Sequence, residues 1–180
     1  MPLFLDDADR RLYIEYLRSG ARKFGITFLA WVLMRTHVHF IAVPSTTEAF
    51  TEFFARVDKD YADAFNRKYC GFGKVFQPHR FQSVLDERYF IAATRYVNRN
   101  PSRAGIVSTS AEFEWSSASY LLGETDVDPL VQTRRPYDMD LDWGVLLEAC
   151  PAEISVIRRC TRACCPMGTR EFVRRIFVSR

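Results

Sequence analysis

Two apolar runs separated by two residues, Ile26 to Met34 and His37 to Val43, constrain the fold more than any other feature of the chain. The first run is apolar on both alternating faces and rich in β-branched and aromatic side chains, which is typical of a strand covered on both sides. The second run resumes a strand pattern, and the very short connection favours an antiparallel hairpin. Because side chains two residues apart on a strand share a face, we expect His37 and His39 to point the same way.

Amphipathic helices are predicted on either side of this hairpin in the sequence. Apolar residues recur on one helical face from Asp9 to Phe24, and Gly25 supplies a C-terminal stop. Ser45 followed by Glu48 predicts a capping box that opens a second helix, which Gly71 and Gly73 end. The apolar positions of the second helix recur at three- and four-residue steps: Phe50, Phe53, Phe54, Val57, Tyr61, Phe65 and Tyr69.

A strand and a third helix are predicted to follow. Residues Val75 to Leu85 show a strand pattern that Pro78 either breaks or confines to a sheet edge. Asp86 is the expected N-cap of the next helix, which should stop near Asn100 because Pro101 disfavours helix at the residue before it. The order α-β-β-α-β-α is that of an α+β sandwich.

The remainder of the chain has weaker signals. A short helix is predicted to open at Trp115 to Ser117, and the acidic, turn-rich stretch from Gly123 to Asp142 is expected to be irregular. Three further short helices are predicted: Trp143 to Cys150, Pro151 to Cys164 and Thr169 to Val178.

Composition places the chain among globular proteins. It has 180 residues, of which 48% are hydrophobic and 26% charged, enough for one sizeable core and incompatible with disorder or collagen-like structure. No apolar run approaches the roughly 20 residues of a membrane-spanning helix, and charged side chains stand where a secretory signal would be apolar. Five cysteines without a regular framework favour free thiols in a reducing compartment. We therefore expect a cytoplasmic protein.

Charge is distributed unevenly along the chain. Residues 112–153 hold ten acidic residues and two arginines, whereas residues 157–180 hold seven arginines and one glutamate. Residues 74–103 are also basic. Such segments attract phosphate, but most charge runs are solvated surface, and charge alone favours the solvated surface over a nucleic-acid site.

The histidine pair could carry chemistry. His37 and His39 could both direct ring nitrogens at one divalent cation, although two ligands do not make a site and such a pair on a strand is more often structural. Tyr96 and Asn100 are spaced i,i+4 on the third helix, where a metal-polarised phosphodiester could meet the tyrosine and the amide could supply an oxygen ligand. Tyr89, one heptad earlier, is an equal candidate on spacing alone.

The remaining histidine and most of the cysteines lack ligand spacing. His79 is expected to be a surface or nucleic-acid contact. Cys150, Cys160, Cys164 and Cys165 contain no CxxC pair, so free thiols are favoured over a zinc site.

Several segments together resemble one known family. They are Trp31 to Phe40 (WVLMRTHVHF), Val75-Phe76-Gln77 with Arg80-Phe81, Tyr96 with Asn100-Pro101 and Arg103-Ala104-Gly105, Trp115-Ser116-Ser117, and Pro166-Met167-Gly168 with Phe172. The first three resemble, in order, the His-hydrophobe-His hairpin, the aromatic and arginine strand, and the tyrosine helix with its NPxRAG turn of the REP-associated tyrosine transposases. The last two resemble shorter elements of that family, which belongs to the HUH single-strand DNA transposases. Arg35-Thr36 stands where that family usually has Pro-Asn. The resemblance covers roughly Leu3 to Ser119 and the tail.

The resemblance implies an α+β fold with a ferredoxin-like or RRM-like antiparallel sheet packed by helices. Residues 1–119 would form an HUH transposase-like catalytic domain, and residues 120–180 an acidic lobe and a basic helical C-terminal extension. Family members usually begin with one more strand, carrying a histidine and an arginine, upstream of the part that resembles Leu3 to Phe24. The resemblance therefore predicts an N-terminally truncated domain that lacks its first strand and has an exposed sheet edge or a gap.

The resemblance also implies a metal-dependent transposase or endonuclease that cleaves and rejoins single-stranded hairpin or repeat DNA. Tyr96 would attack a phosphate and form a 5′-phosphotyrosine, and the match to the motif selects it over Tyr89. His37, His39 and Asn100 would bind Mg²⁺ or Mn²⁺, with no organic cofactor.

DNA is expected to lie along the basic strand and tail, in a bacterial cytoplasm near the nucleoid and away from membranes. Phe76 and Phe81 could stack on exposed bases, although core packing is at least as consistent with either. The sequence does not distinguish a monomer from a homodimer. Two alternative functions also stay open: a repeat-binding protein of the same fold without catalytic activity, and an RNA-binding sheet protein, which would leave the histidines without a role. The expected DNA-binding residues are Arg80, Arg95, Arg99, Arg103, Arg170, Arg174 and Arg175.

Overall fold

The computed structural model describes residues 2–77, 80–132, 142–148 and 154–178. Within these ranges the fold is α+β, with a two-stranded antiparallel sheet packed by helices. The elements in chain order are α1 (Asp7–Phe24), β1 (Ile26–Leu33), β2 (Val38–Pro44), α2 (Thr47–Lys68), α3 (Glu87–Asn98), α4 (Asn100–Arg103), α5 (Ala118–Leu122), α6 (Trp143–Glu148), α7 (Ile154–Arg162) and α8 (Arg170–Val178).

The predicted hairpin is confirmed. β1 and β2 pair antiparallel, with Val32 opposite His39 and a register shift between Phe28 and Ala30. All residues of β1 except Thr27 are buried, as expected of a strand covered on both faces. The second strand begins one residue later than predicted, so His37 lies at the end of the connection between the strands.

The sheet lies between two groups of helices. Phe40 packs its ring against Phe54 of α2 at 5.7 Å between centroids, whereas the adjacent His39 contacts α3. Consecutive strand residues point to opposite faces, so α1 and α2 cover one face and α3 the other. This layering directs the histidines of the hairpin toward α3.

The two edges of the hairpin differ. On the β1 side the backbone is paired, because Leu33 N–H donates to Trp115 O at 2.8 Å and Ser117 N–H donates to Trp31 O at 3.0 Å. On the β2 side, no strand among the described residues pairs with the outer edge. The ferredoxin-like arrangement of the sheet stays a prediction, and β2 is an edge strand in the part of the chain that the structure describes.

Local sequence explains where the first two helices begin and end. α1 starts at Asp6, whose side chain caps Asp9 N–H, and ends at Gly25, whose left-handed φ of 64° confirms the predicted glycine stop. The predicted capping box at Ser45 is wrong by one residue. Thr46 is the N-cap of α2, and Ser45 Oγ instead donates to Phe24 O at 3.0 Å, which ties the start of α2 to the end of α1.

The predicted strand from Val75 to Leu85 is wrong for the residues described. Its only ladder contact there is an isolated parallel bridge between Leu85 and Met167. Side chains also hold the segment, since Phe76 packs on Tyr13 with ring centroids 5.9 Å apart. Pro78 and His79, with the contact expected of His79, lie outside the described residues.

The third helix begins as predicted, with Asp86 accepting from Arg88 N–H. It ends at Asn98, and Pro101 lies in the first turn of α4 rather than beyond the end of a helix. Proline is tolerated there because the first turn of a helix does not need its N–H. Asn100 therefore belongs to a short helix that continues closely from α3.

α6, α7 and α8 lie within the predicted ranges, whereas α5 begins at Ala118, just after the predicted opening at Trp115 to Ser117. Residues 123–132 contain no helix or strand, and residues 133–141 of the stretch predicted to be irregular lie outside the described residues. The main core includes Leu130, Val131, Trp143 and Leu147 together with residues from the hairpin. Core packing therefore continues past residue 119, and the domain boundary predicted there stays a prediction. Across the described ranges, every helix is too short or too polar to span a membrane.

A second, smaller core joins the C-terminal helices to α3. It consists of Ala92, Ile157 and Met167. Backbone bonds support it, because Asp86 N–H donates to Met167 O at 2.7 Å and Met167 N–H donates to Val84 O at 2.8 Å. This small core sets the position of α7 beside the sheet.

Candidate active site

Three of the residues predicted to form the site meet between β2 and α3. The imidazole rings of His37 and His39 have centroids 5.0 Å apart, and the ring of His39 is 5.4 Å from that of Tyr96. The last two rings meet edge to face, with planes 74° apart. The contact follows from the layering, because His39 points away from the α2 face of the sheet.

Desolvation favours the neutral form of both imidazoles, more strongly for the half-buried His39 than for the exposed His37. Desolvation lowers the pKa of His37 and lowers that of His39 to about 4. Electrostatic interaction with His37 and the positive charges of Arg103 and Arg158 lower the pKa of His39 further. A neutral imidazole is the form that binds metal ions.

Asn100 is held close to the tyrosine by the helix end. Its amide nitrogen donates to Tyr96 O at 2.7 Å and to Val97 O at 3.4 Å. Because the nitrogen makes these bonds, the amide oxygen is the atom left to act as a ligand. The backbone of Tyr96 and the side chain of Asn100 are thereby positioned together.

Two imidazoles and one amide oxygen are ligand types that a divalent cation can combine with water or substrate oxygens. Two neutral imidazoles and one amide oxygen suit Mn²⁺ better than Mg²⁺, which prefers oxygen ligands throughout. No cluster of three or more His, Cys, Asp or Glu side chains suited to a metal ion occurs among the described residues. A metal at His37 and His39 would therefore depend on Asn100, water or phosphate oxygens.

Arg103 places positive charge beside the tyrosine. The guanidinium of Arg103 lies 5.2 Å from the centroid of the Tyr96 ring. Arg95 and Arg99, also predicted to bind DNA, are half-buried at the end of α3 on either side of Tyr96 in sequence. Positive charge next to a tyrosine is suited to a phosphate.

Arg80 occupies a different environment. Its guanidinium pairs with Asp58 and lies 4.0 Å from the centroid of the Phe54 ring. Tyr13 donates to the same carboxylate at 3.1 Å, and burial raises the pKa of Asp58. The structure thus places Arg80 in contact with α2, and its predicted role in DNA binding is untested.

The three tail arginines are exposed on α8. Arg170, Arg174 and Arg175 all face solvent, and the guanidinium of Arg175 lies 5.8 Å from the Phe172 ring centroid. The structure does not bring them into contact with Tyr96 or the histidines, so their DNA contacts stay predictions.

Tyr96 and Tyr89, which spacing alone left equal, have different neighbours in the structure, as do Phe76 and Phe81. Tyr89 and Tyr96 both border the small core, but the ring contact of His39 is with Tyr96. Phe76 packs against Tyr61 at 5.9 Å between centroids, whereas Phe81 is 56% exposed. Core packing therefore accounts for Phe76, and base stacking remains open only for Phe81.

Sequence reasoning missed two features, Arg158 and Phe72. Arg158 of α7 lies close enough to His39 for its charge to act on the imidazole, which no local pattern could show because it depends on how α7 docks. Phe72 has a fully exposed ring, and the signal available for it was an aromatic residue between two glycines. The described cysteines Cys70, Cys160, Cys164 and Cys165 are free thiols.

Comparison with known proteins found no significant match to a protein-family model, to a curated protein or to a solved structure.

Proposed function

We propose that this chain is a metal-dependent tyrosine nuclease and strand transferase of the HUH transposase type, acting on single-stranded hairpin or repeat DNA. The observation that carries the proposal is the ring contact between His39 of the His-x-His strand and Tyr96 of α3. Two segments far apart in sequence, each resembling a part of one kind of active site, meet in space. The expected setting is a bacterial cytoplasm, near the nucleoid.

In the proposed reaction the hydroxyl oxygen of Tyr96 attacks the phosphorus of a phosphodiester. The new O–P bond forms as the bond from phosphorus to the 3′ oxygen breaks, which leaves the DNA 5′-phosphate on the tyrosine. The tyrosine gives up one proton and the released 3′ oxygen takes up one, so the step is balanced. Attack by the 3′ hydroxyl of another strand reverses it and joins the two strands.

The surrounding residues have separate roles. His37 and His39, whose neutral forms are favoured by desolvation, would hold Mg²⁺ or Mn²⁺ with Asn100. When bound, the metal ion would polarise the phosphate and offset charge that develops on it. Asn100 fixes the backbone of Tyr96, and Arg103 provides positive charge beside its ring.

A second candidate function is DNA-repeat binding without cleavage. It is favoured by the position of β2, which carries His39 and is an edge strand among the described residues. A strand supported on one side only holds its side chains less firmly than a central strand does, so the histidines could be too mobile for catalysis. An RNA-binding sheet protein would leave the contact between His39 and Tyr96 without a purpose.

A covalent adduct assay tests the proposal. Purified protein is incubated with labelled single-stranded hairpin DNA and either Mn²⁺ or EDTA, and adducts are read on a denaturing gel. We expect an adduct with Mn²⁺ only. Tyr96→Phe should form none while binding the hairpin as before, and the matched control Tyr89→Phe should still form it.

Each outcome of the assay separates the candidates. An adduct with Tyr96→Phe would exclude Tyr96 as the nucleophile. The absence of any wild-type adduct, with retardation of the hairpin on a native gel, would replace the nuclease by the repeat-binding protein.

A further inference from the structure

One face of α7 is a continuous basic surface. A shallow depression of about 610 Å³ lies along it. The side chains that line it recur at i, i+3, i+4, i+7 and i+8 and therefore share one side of the helix: Ser155, Arg158, Arg159, Arg162 and Ala163. We refer to these five residues as the α7 basic face.

The opposite side of α7 fixes the helix in place. Ile157 is only 2% exposed and packs with Ala92 of α3 and with Met167. Cys160 packs half-buried against the same small core, which Tyr96 also borders. The α7 basic face is therefore held outward on a helix whose inner side lies next to the tyrosine.

The arginines of this face are available to an external anion. Among the described residues, no carboxylate lies within ion-pair distance of Arg158, Arg159 or Arg162. By contrast, Arg56 and Arg80 are both paired with aspartates. Three unpaired guanidinium groups on one helical face repel one another, and a polyanion relieves that repulsion.

The helix that carries the α7 basic face borders the candidate site, because its Ile157 packs in the small core that Tyr96 also borders. Arg158 acts on His39 through its charge, whereas Arg162 lies one turn further along the helix, about 6 Å away along the axis. Planar guanidinium groups bind phosphate through paired hydrogen bonds, and a row of them suits a chain of phosphates better than a single small anion. The row therefore leads from solvent toward Tyr96.

We propose that the α7 basic face binds the phosphodiester backbone of the single-stranded DNA that enters the site, with Arg158 on the phosphate nearest His39 and Arg159 and Arg162 on the phosphates that follow. The path ends at Tyr96, and in this respect the inference rests on the proposed function. The binding itself does not require the protein to cleave DNA.

Binding by a cleavage-inactive protein tests this path. In the Tyr96→Phe background, the triple variant Arg158→Gln, Arg159→Gln, Arg162→Gln is compared with its parent by fluorescence anisotropy, using a labelled hairpin with a single-stranded flank over a range of salt concentrations. We expect affinity to fall about tenfold or more near 0.1 M salt, and the salt slope to become shallower by about 2, since each lost single-strand phosphate contact contributes about 0.7.

A matched control removes the same charge elsewhere. The triple variant Arg18→Gln, Arg22→Gln, Arg67→Gln changes three exposed arginines of α1 and α2 and should alter affinity less than twofold. Replacing the three α7 arginines by lysine keeps the charge and should retain most of the salt slope. If the lysine variant loses binding as fully as the glutamine variant, the arginines act through the fold of α7, and the proposal is overturned.

The remaining outcomes are also decisive. Unchanged affinity in the α7 glutamine variant, or an equal loss in the α1 and α2 control, would overturn the proposal. Equal binding of an RNA hairpin of the same sequence, equally weakened by the α7 variant, would show that the partner class is wrong. If the α7 glutamine variant loses affinity as expected but wild-type protein forms no adduct, only the nuclease proposal fails. If wild-type protein forms the adduct but the α7 glutamine variant binds DNA with unchanged affinity, only the proposed DNA path along α7 fails.

Discussion

At the scale of single residues, His39 shows how burial sets the chemistry of a side chain. Its ring lies on the β2 strand of the hairpin and contacts the rings of both His37 and Tyr96. Desolvation disfavours its charged form, and the neighbouring positive charges act in the same direction. Desolvation thus favours the neutral imidazole, which is the form that can bind a metal ion, and it also makes the stability of the folded protein sensitive to acid.

We therefore predict that acid destabilises the metal-free protein partly through His39. The folded pKa of about 4 lies below the ordinary 6.5, so the unfolded chain takes up the proton first as pH falls. Stability from this group is complete above about pH 6.5 and is lost as pH falls toward 4, by about 2 to 3 kcal/mol at pH 4.5. Urea unfolding in EDTA at pH 7 and pH 4.5 measures the loss.

His39→Gln supplies the control, because glutamine does not titrate. Its free energy of unfolding should fall less between the two pH values than that of the wild type. Equal losses in the two proteins would mean that His39 titrates normally in the folded state.

Asp9 is the residue on which we expect the start of the fold to depend most. It is 2% exposed, accepts from Leu5 N–H at 2.8 Å, and also bonds Lys68 and Tyr69 at the end of α2. We predict that Asp9→Ala lowers the free energy of unfolding by about 2 to 3 kcal/mol, since half of the capping box is lost and Leu5 N–H, Lys68 and Tyr69 each lose an acceptor. Chemical denaturation measures it.

Asp63→Ala is the matched control, because Asp63 also pairs with a lysine, Lys59, but on an exposed helix surface. It should change stability by less than about 0.5 kcal/mol. Similar effects of the two substitutions would show that the Asp9 cluster contributes no more than a surface ion pair.

At the scale of elements, the packing of α1 on α2 depends on a small residue. A Cβ on Gly20 would lie 2.8 Å from the ring of Phe53 and 3.1 Å from a methyl group of Val57. We predict that Gly20→Leu costs about 2 to 3 kcal/mol through overpacking, measured by urea unfolding. Ser19→Leu, on the exposed side of the same helix, should cost under about 1 kcal/mol; an equal loss there would point to a general effect of leucine rather than to the helix crossing.

Elements with a strong local period could be predicted from the sequence, and those held by distant side chains could not. The hairpin, α1 and α2 each carry a pattern with the period of their structure. The segment from Val75 to Leu85 also alternates, but Phe76 packs on Tyr13 and Arg80 pairs with Asp58. The contacts with α1 and α2 determine the conformation of this segment. The sequence of the segment itself does not show which distant residues it will contact.

The candidate site divides in the same way. His37 and His39 are two residues apart at the start of β2, and Tyr96 and Asn100 are four residues apart at the end of α3, so each pair could be predicted from spacing. The meeting of His39 with Tyr96 depends on the layering of α3 over the sheet. The charge of Arg158 acts on His39 because Ile157 and Met167 hold α7 against α3, and the sequence of α7 does not show which element it packs against.

At the scale of the whole molecule, two cores of unequal size hold the chain together. The main core joins the hairpin with α1, α2 and α3, whereas the small core connects α7 and the residues before α8 to α3. A small core with few apolar contacts opens at lower free energy than a large one. The C-terminal helices should therefore detach without unfolding the sheet, and with them the α7 basic face.

Met167→Ala tests this separation. Met167 is 4% exposed in the small core, and losing its side chain should cost about 2 kcal/mol. Because β1 belongs to the other core, we predict that amides of α7 exchange hydrogen about 30-fold faster while those of β1 are unchanged. Met34→Ala, the same substitution in the main core, should instead accelerate exchange in β1.

The same variant connects stability with function. If α7 supplies the path for DNA, Met167→Ala should weaken hairpin binding in proportion to the time that α7 is detached, although no arginine has been removed. Equal acceleration of exchange in α7 and β1 would show that the two cores unfold as one unit. In that case α7 could not leave the site while the sheet stays folded, and DNA entry would take place on a surface as stable as the sheet itself.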